Sequence, residues 1–335
     1  MADQLPAGPA ADVLVVGLLL AAYVSLQLPL DWLGGYDIPK RFGRRVQPAG
    51  AHATTLVRGI AAHTTILFLS ATILYIGGRL AGLPGAFVAG VLWMLGLAAL
   101  RGTVAGLVAK LSGPTGAEEQ ARTKLQSSTD EGFTGGIAGL LCPKSNILPA
   151  AWKEQLNDDQ FELAMARRET VMRDGTWRRG RIGAFIFTAT GLLLALLLAG
   201  SSAAGTGVGV VETSLWFTLW AFLGLLLLPA LSRAAVYNTD RKLMQQGIDP
   251  AAFEELTHTL DQLQDGEPQR ARWIERVFHP IPSAANRTTD PGTAGGFWDI
   301  ARTSVYLGLS SLSLLTRSVH CNVGRPALWV WLPTD

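Results

Sequence analysis

The chain contains only five histidines and two cysteines, the residues that most often bind zinc. His320 stands beside Cys321, and an imidazole next to a thiol can hold a soft metal ion. Because no second pair of ligands accompanies these two residues, we do not expect a metal site there. Cys142 is distant from Cys321 in sequence, so the two cysteines form neither a CxxC pair nor a disulfide framework. We expect both to be free thiols.

A charged stretch, DDQFELAMARRETVMRDG (residues 158–175), lies between two hydrophobic stretches and predicts a short helix just outside a membrane. Asn157 is a suitable N-cap for this helix, and the two aspartates that follow it favour the first turn. The helix contains no histidine. Its two glutamates, Glu162 and Glu169, stand seven residues apart and do not converge as two ligands one helical turn apart would.

Composition places this helix in a membrane protein. Of the 335 residues, 49% are hydrophobic and 16% are charged, whereas soluble domains carry about 25% charged residues. The apolar residues are gathered into blocks, which indicates a multi-pass membrane protein. The formal net charge of +2 is too small to suggest binding to nucleic acid.

Five apolar stretches approach or reach the length of about 20 residues that a membrane-spanning helix needs. They are residues 13–33, 61–83, 86–107, 182–200 and 215–231. A sixth stretch, 305–315, is too short for a span, and we expect it to be interfacial or re-entrant. The first twelve residues contain no basic residue, so we expect the first stretch to be retained as a membrane helix.

The distribution of basic residues predicts the orientation. Lys and Arg are frequent in the loop after the first span and in the segments after the third and fifth spans. The turn GLPG and the loop SSAAGTGVGVVET contain none. By the positive-inside rule the N-terminus lies outside and the long polar segments lie in the cytoplasm. We expect the membrane to be a prokaryotic cytoplasmic (inner) membrane.

The two long polar segments are each too small to bury a sufficient core alone, so we expect them to form one cytoplasmic domain. The expected fold is mainly α: a bundle of about five transmembrane helices with a mostly helical cytoplasmic domain that contains a short β-hairpin. The expected regions are a three-helix membrane region (1–110), the first cytoplasmic part (111–181), a transmembrane hairpin (182–231), the second cytoplasmic part (232–298) and an interfacial or re-entrant C-terminal segment (299–335).

Local patterns within the polar segments predict further elements. The Gly-rich and then apolar residues 132–152 predict two short strands followed by the start of a helix. Asp249 and Pro250 start a helix in the second segment. Residues 282–296 are polar and punctuated by Gly and Pro, which is typical of a linker.

Four segments taken in order carry a family resemblance: GFTGG with SNILPAAW, LNDDQFELAMA, LSRAAVYNTDRKLMQQGIDPAAFEELTHTL and FHPIPSAANR. Together they resemble membrane zinc metallopeptidases of the HtpX and CAAX-prenyl-protease type, which are gluzincins. The resemblance covers residues 132–287, about half of the chain. It implies that six positions match the family's structural residues: Phe133, Gly135, Arg233, His279, Pro280 and Arg287.

The family's metal ligands are missing from the matching positions. In HExxH, two histidines one helical turn apart bind Zn²⁺, and the glutamate activates water. The two histidine positions fall on Arg167 and Val171, the glutamate position on Arg168 and the third ligand on Val236. Arginine stays protonated and valine has no donor atom, and guanidinium groups would repel a metal ion. The resemblance therefore implies a degenerate member without zinc.

Two interpretations remain open for the arginines. They could fill the vacated metal site and pair with Asp240, which matches the family's aspartate. They could instead belong to a basic collar that extends toward lipid headgroups, together with Arg173, Arg178, Arg179 and Arg181. For Arg168 we favour the collar, and for Arg167 the two interpretations are balanced.

We expect a catalytically inactive pseudopeptidase that acts as a protein-binding or accessory subunit of a membrane complex. In active relatives a groove beside the hairpin takes a substrate strand by edge addition, and this groove would remain. Its partners would be the lipid bilayer and one or more membrane proteins. The alternative is an active zinc endopeptidase with non-standard ligands such as His258 or His279. A transporter is disfavoured, because the spans contain almost no paired ionisable groups.

Overall fold

A computed structural model describes residues 8–43, 47–109, 123–128, 133–140, 142–200, 204–264, 267, 269–279, 281–289 and 312–315. The helices are α1 (Pro9–Trp32), continued by a π-helical turn (Leu33–Asp37) and α2 (Ile38–Arg41), α3 (Ala49–Ala109), α4 (Trp152–Gln155), α5 (Asp158–Arg173), α6 (Thr176–Ala199), α7 (Gly207–Gln245), α8 (Pro250–Gln264), α9 (Arg272–Phe278) and α10 (Ala284–Thr289). The strands are β1 (Thr123–Gln126), β2 (Gly136–Ala138) and β3 (Ser145–Pro149). The mainly α fold expected from the sequence is confirmed.

Within the described residues, four helical stretches are long and apolar enough to cross a membrane: Pro9–Arg41, Ala49–Leu100, Thr176–Ala199 and Gly207–Gln245. The second stretch belongs to α3, which contains two of the five predicted spans, 61–83 and 86–107. Ala81 and Gly82 leave helical geometry within α3, and Gly82 has a φ of 61°. The chain folds back there, so that the helical segments before and after the turn pack closely. A Cβ atom on Gly77 would lie only 2.5 Å from the Gly85 carbonyl oxygen. Glycine at position 77 thus permits a close helix-to-helix approach.

The chain divides into two compact units. The first contains the described parts of 1–101, 186–223 and 308–330, and the second those of 102–185, 224–307 and 331–335. In the first unit the Asp12 carboxylate accepts hydrogen bonds from the Gly207 backbone N–H at 2.6 Å and from the Tyr75 hydroxyl at 3.0 Å. Asp12 therefore satisfies a free N–H at the start of α7, which is a favourable position for an anion.

The sixth apolar stretch is described only at residues 312–315, which form a turn in the first unit. The Ser214 hydroxyl donates to the Leu312 carbonyl at 2.9 Å, and the Leu314 N–H donates to the Thr218 hydroxyl at 3.1 Å. Hydroxyl side chains of α7 thus satisfy backbone groups of this non-helical segment. His320 and Cys321 lie outside the described residues.

The second unit contains a three-stranded sheet in the order β1-β3-β2. β2 pairs with β3 antiparallel, which is the predicted hairpin. β1 pairs with β3 in parallel and was not expected from the sequence, because its four residues (TKLQ) carry no strong strand signal. Leu148 of β3 packs in one core with Trp152, Leu163 of α5, Leu243 of α7 and Leu256 of α8.

Two helices of the second unit, α5 and α8, begin where the sequence predicts, and capping contacts are present at both starts. The Asn157 side chain accepts from the Gln160 N–H at 2.8 Å, and the Gln160 side chain accepts from the Asn157 N–H at 3.2 Å, forming a capping box. The Gln160 amide also donates to Glu255 of α8 at 3.0 Å. Asp249 accepts from the Ala251 N–H at 3.1 Å at the start of α8. The linker prediction for 282–296 is wrong at its beginning, where α10 forms.

Candidate functional site

The centre of the candidate site is the buried carboxylate of Asp240, on the C-terminal part of α7. Its Oδ1 accepts from Arg167 Nε of α5 at 3.0 Å. Arg287 of α10 binds both carboxylate oxygens, with Nε to Oδ2 at 2.8 Å and Nη2 to Oδ1 at 2.9 Å. These three residues, called the Asp240 cluster below, connect three helices that are far apart in sequence.

The Asp240 cluster is almost completely removed from solvent. The Arg167 and Asp240 side chains are 8% and 6% exposed, and Arg287 is 9% exposed. Burying single charges costs several kcal/mol each, and only close pairing with additional hydrogen bonds offsets that cost. The bidentate geometry of Arg287 supplies such bonds, and its guanidinium also lies 5.2 Å from the ring centroid of Phe253. The cluster therefore fixes the arrangement of α5, α7 and α10.

Arg168 does not belong to a solvent-facing collar. It is 1% exposed, and it donates to the carbonyls of Thr134 and Ile147, the latter at 2.6 Å, and to Asn146 Oδ1 at 3.3 Å. Its guanidinium lies 5.1 Å from the Trp152 ring. The collar prediction for Arg168 is wrong, because this face of α5 packs on the sheet, where backbone carbonyls satisfy the guanidinium.

The remaining collar residues divide into two groups. Arg173, Arg178 and Arg179 are exposed, as a basic collar requires. Arg181 is buried and donates to the carbonyls of Leu140 and Gly139, each at 3.3 Å, so its collar prediction is also wrong.

The two valine positions are apolar and buried. Val171 packs with Ile137 of β2 and with Trp177 of α6, and Val236 is buried one helical turn before Asp240. Zn²⁺ in such a site needs imidazole, thiolate or carboxylate donors. The side chains at the four matching positions are two guanidiniums and two isopropyl groups, which do not fit a metal ion. In the described part of the chain, no three His, Cys, Asp or Glu residues are grouped so that they could hold one.

The histidines proposed as non-standard ligands lie in two different environments. The His258 side chain is 39% exposed on α8, 3.9 Å from Glu254. His279 is buried, and its backbone carbonyl accepts from Arg233 at 3.1 Å. Pro280, which follows it, lies outside the described residues.

The other positions that match the family lie in the second unit. Phe133 is buried. Gly135 has a φ of 70°, and a Cβ atom there would overlap the backbone carbonyl oxygen of Ile147, so a larger residue would be strained. Arg287 was expected only as a structural match, and its role in the Asp240 cluster was missed. The family resemblance singled out Arg287, but no pattern in the sequence indicates that Arg287 binds Asp240.

Comparisons with known proteins relate the chain to one kind of fold. No family model matches the sequence, and no curated protein matches it. Among solved structures, the fold is similar to that in the "Crystal Structure of S. mikatae Ste24p", with a TM-score of 0.64 and 13% sequence identity. The match covers 86% of this chain and 77% of that chain. The likeness shows that the two chains share a fold, and the four candidate membrane helices indicate a multi-pass membrane protein.

The Asp240 cluster predicts a large stability difference between two conservative substitutions. Asp240→Asn leaves two buried guanidiniums without a carboxylate and should destabilise the protein by about 3–5 kcal/mol. The control is Glu169→Gln, which breaks the Arg173–Glu169 pair at 2.7 Å, whose side chains are 72% and 47% exposed. That change should cost about 0.3–0.5 kcal/mol. Urea unfolding in detergent micelles measures both, and equal effects would contradict the assignment.

Proposed function

We propose that this protein is a catalytically inactive relative of membrane metallopeptidases, which binds another membrane protein as an accessory subunit. The observation that carries the proposal is the ion pair between Arg167 and Asp240. A guanidinium occupies the position of the first metal-binding histidine, and it is already engaged by a buried carboxylate. A cation held in this way excludes a second cation from the same space.

The neighbouring side chains support the same interpretation. Arg168 stands at the position of the general base, but a guanidinium stays protonated and cannot accept a proton from water. Its hydrogen bonds to Thr134 and Ile147 commit it to holding α5 against the sheet. Val171 contributes to an apolar cluster where the second histidine would stand. At the four positions that match the metal site, the residues of this chain form an ion pair, hydrogen bonds to the sheet and apolar contacts. All four residues therefore support the same proposal.

The sheet offers the surface on which a partner would bind. In the order β1-β3-β2, β2 is the last strand of the sheet among the described residues; its Gly136 and Ile137 are buried and its Ala138 is partly exposed. A strand at the end of a sheet can accept an extended segment of another chain through backbone hydrogen bonds. We propose that a partner binds at the Ala138 end of β2. The bonds from Arg168 to Ile147 of β3 and to Thr134, two residues before β2, keep the strand pair rigid against α5.

Zinc content tests the loss of catalysis. The full chain, purified with zinc and without chelator, should contain far less than one zinc ion per chain and should not hydrolyse peptides. In the same preparation, the variant Arg167→His/Arg168→Glu/Val171→His/Val236→Glu should gain zinc if the positions are assigned correctly. One tightly bound zinc ion per native chain, with hydrolysis that a chelator abolishes, would instead establish the zinc endopeptidase alternative.

The rebuilt variant loses the ion pair of Arg167 and the sheet contacts of Arg168, so its folding needs a separate control. The variant Arg167→Met/Arg168→Met removes the same contacts without adding ligands. A chain that folds as well as this control and still takes up no zinc would contradict the assignment of the ligand positions.

A photo-crosslinking experiment tests the partner surface. A photoreactive amino acid at Ala138 of β2 should crosslink to a discrete membrane protein in native membranes. The same group at Lys124 of β1, on the opposite edge of the sheet, should give much less of that product. The same product from both positions, or from neither, would argue against the edge of β2 as the binding surface.

We also propose that the N-terminus lies outside and the second unit in the cytoplasm of a prokaryotic inner membrane. Cys142 is exposed in the second unit and serves as a natural reporter. In a Cys321→Ser background, a membrane-impermeant maleimide should label Cys142 in broken membranes and not in intact spheroplasts. Equal labelling in both preparations would reverse the proposed orientation.

A further inference from the structure

Helix α9 presents an exposed face of aromatic and basic side chains. Trp273 is 66% exposed and is a large hydrophobic residue outside the four membrane-spanning candidates. Arg272 and Arg276 are exposed beside it, four residues apart on the same face. The other side of α9 is buried: the Glu275 carboxylate accepts from the Ser283 N–H at 2.8 Å and from Asn286 at 2.9 Å. The exposed face is therefore held in one orientation.

Hydrogen bonds place α9 next to the end of an apolar segment. Arg233 Nη1 donates to the carbonyls of Glu275 at 2.8 Å, Arg276 at 2.6 Å and His279 at 3.1 Å. Arg233 follows Leu231, the last residue of the predicted fifth span, by two residues. Leu227 and Leu231 of α7 are exposed, as lipid-facing residues are. The C-terminal end of α9 thus lies at the level where the spanning helix leaves its apolar surroundings.

The chemistry of this face fits the surface of a bilayer. Tryptophan is favoured at the membrane interface, where its ring contacts acyl chains and its indole N–H contacts polar groups. Guanidinium groups bind phosphate in a bidentate geometry, and each basic residue near an anionic surface contributes to attraction. Trp273 with Arg272 and Arg276 matches this pattern, and α9 is bonded through Arg233 to the end of the apolar part of α7.

We propose that α9 is an interfacial anchor whose Trp273, Arg272 and Arg276 bind anionic phospholipid headgroups of the membrane that the chain spans. This binding is independent of whether the protein is a peptidase, because none of the three residues belongs to the Asp240 cluster. It would hold the second unit against the membrane surface through Arg233 and Glu275.

Depth-dependent quenching in vesicles tests the proposal. Cys142 and Cys321 are replaced by serine, and a single NBD fluorophore is attached to Ala271→Cys, at the exposed start of α9. The full chain is reconstituted into phosphatidylcholine vesicles, or into an equimolar mixture of phosphatidylcholine and phosphatidylglycerol. A nitroxide on the lipid headgroups should quench the probe more strongly in the anionic vesicles. A probe at Glu254→Cys, which is exposed on α8, should not show this difference.

Substitutions that remove the charges of Arg272 and Arg276 test whether these residues bind the headgroups. Arg272→Gln/Arg276→Gln should lower the ratio of membrane-bound to free α9 by roughly fivefold for each arginine. Trp273→Ala should lower it as well. Lys144→Gln/Lys153→Gln removes the same charge from two other exposed positions and should have no effect.

Three outcomes would overturn the proposal. Quenching at position 271 that does not exceed quenching at 254 would show that α9 does not reach the lipid. Quenching that is equal in neutral and anionic vesicles and unchanged by Arg272→Gln/Arg276→Gln would show that no headgroup is recognised. Protection from aqueous iodide without nitroxide quenching would show that a protein surface, such as a second copy of this chain, covers α9.

Discussion

The carboxylate of Asp240, buried between two guanidinium groups, is the contact on which the second unit depends. It connects α5, α7 and α10, which lie far apart in the sequence. Because an isolated charge at this depth would be strongly unfavourable, the Asp240 carboxylate stabilises both buried arginines and is stabilised by them. The cluster therefore acts as a mutual constraint on three helices. A metal ion with three protein ligands would impose a similar constraint.

The residues around the cluster follow from this constraint. Arg168 donates to the carbonyls of Ile147 and Thr134, whereas its neighbour Arg167 donates to Asp240. The two adjacent arginines of α5 therefore bind different parts of the second unit. Val171 and Val236 supply apolar volume, which lowers the effective dielectric around the ion pairs and strengthens them. The four positions that the resemblance assigns to the metal site thus hold two buried guanidinium groups and two buried valines.

The sequence predicts the fold best where local chemistry determines it. The Asn157 capping box and the apolar stretches of the spans depend on neighbouring residues, and the structure contains both. β1 was missed because its parallel partner lies about twenty residues away and its own four residues are not distinctive. α10 was missed because its short polar sequence is stabilised by contacts of Arg287 and Asn286 and not by helix propensity. The burial of Arg168 was missed because the acceptors are backbone carbonyls, which no residue type reveals.

We propose that the Arg167–Asp240 ion pair occupies the space in which peptidases of the resembled type hold a metal ion. A crystal of the full chain grown with zinc, measured on both sides of the zinc absorption edge, tests it directly. We expect continuous density from the Asp240 carboxylate to Arg167 and Arg287, without an anomalous peak within bonding distance of α5. An anomalous peak beside residues 167, 171 and 236, with the arginines turned away from Asp240, would contradict it.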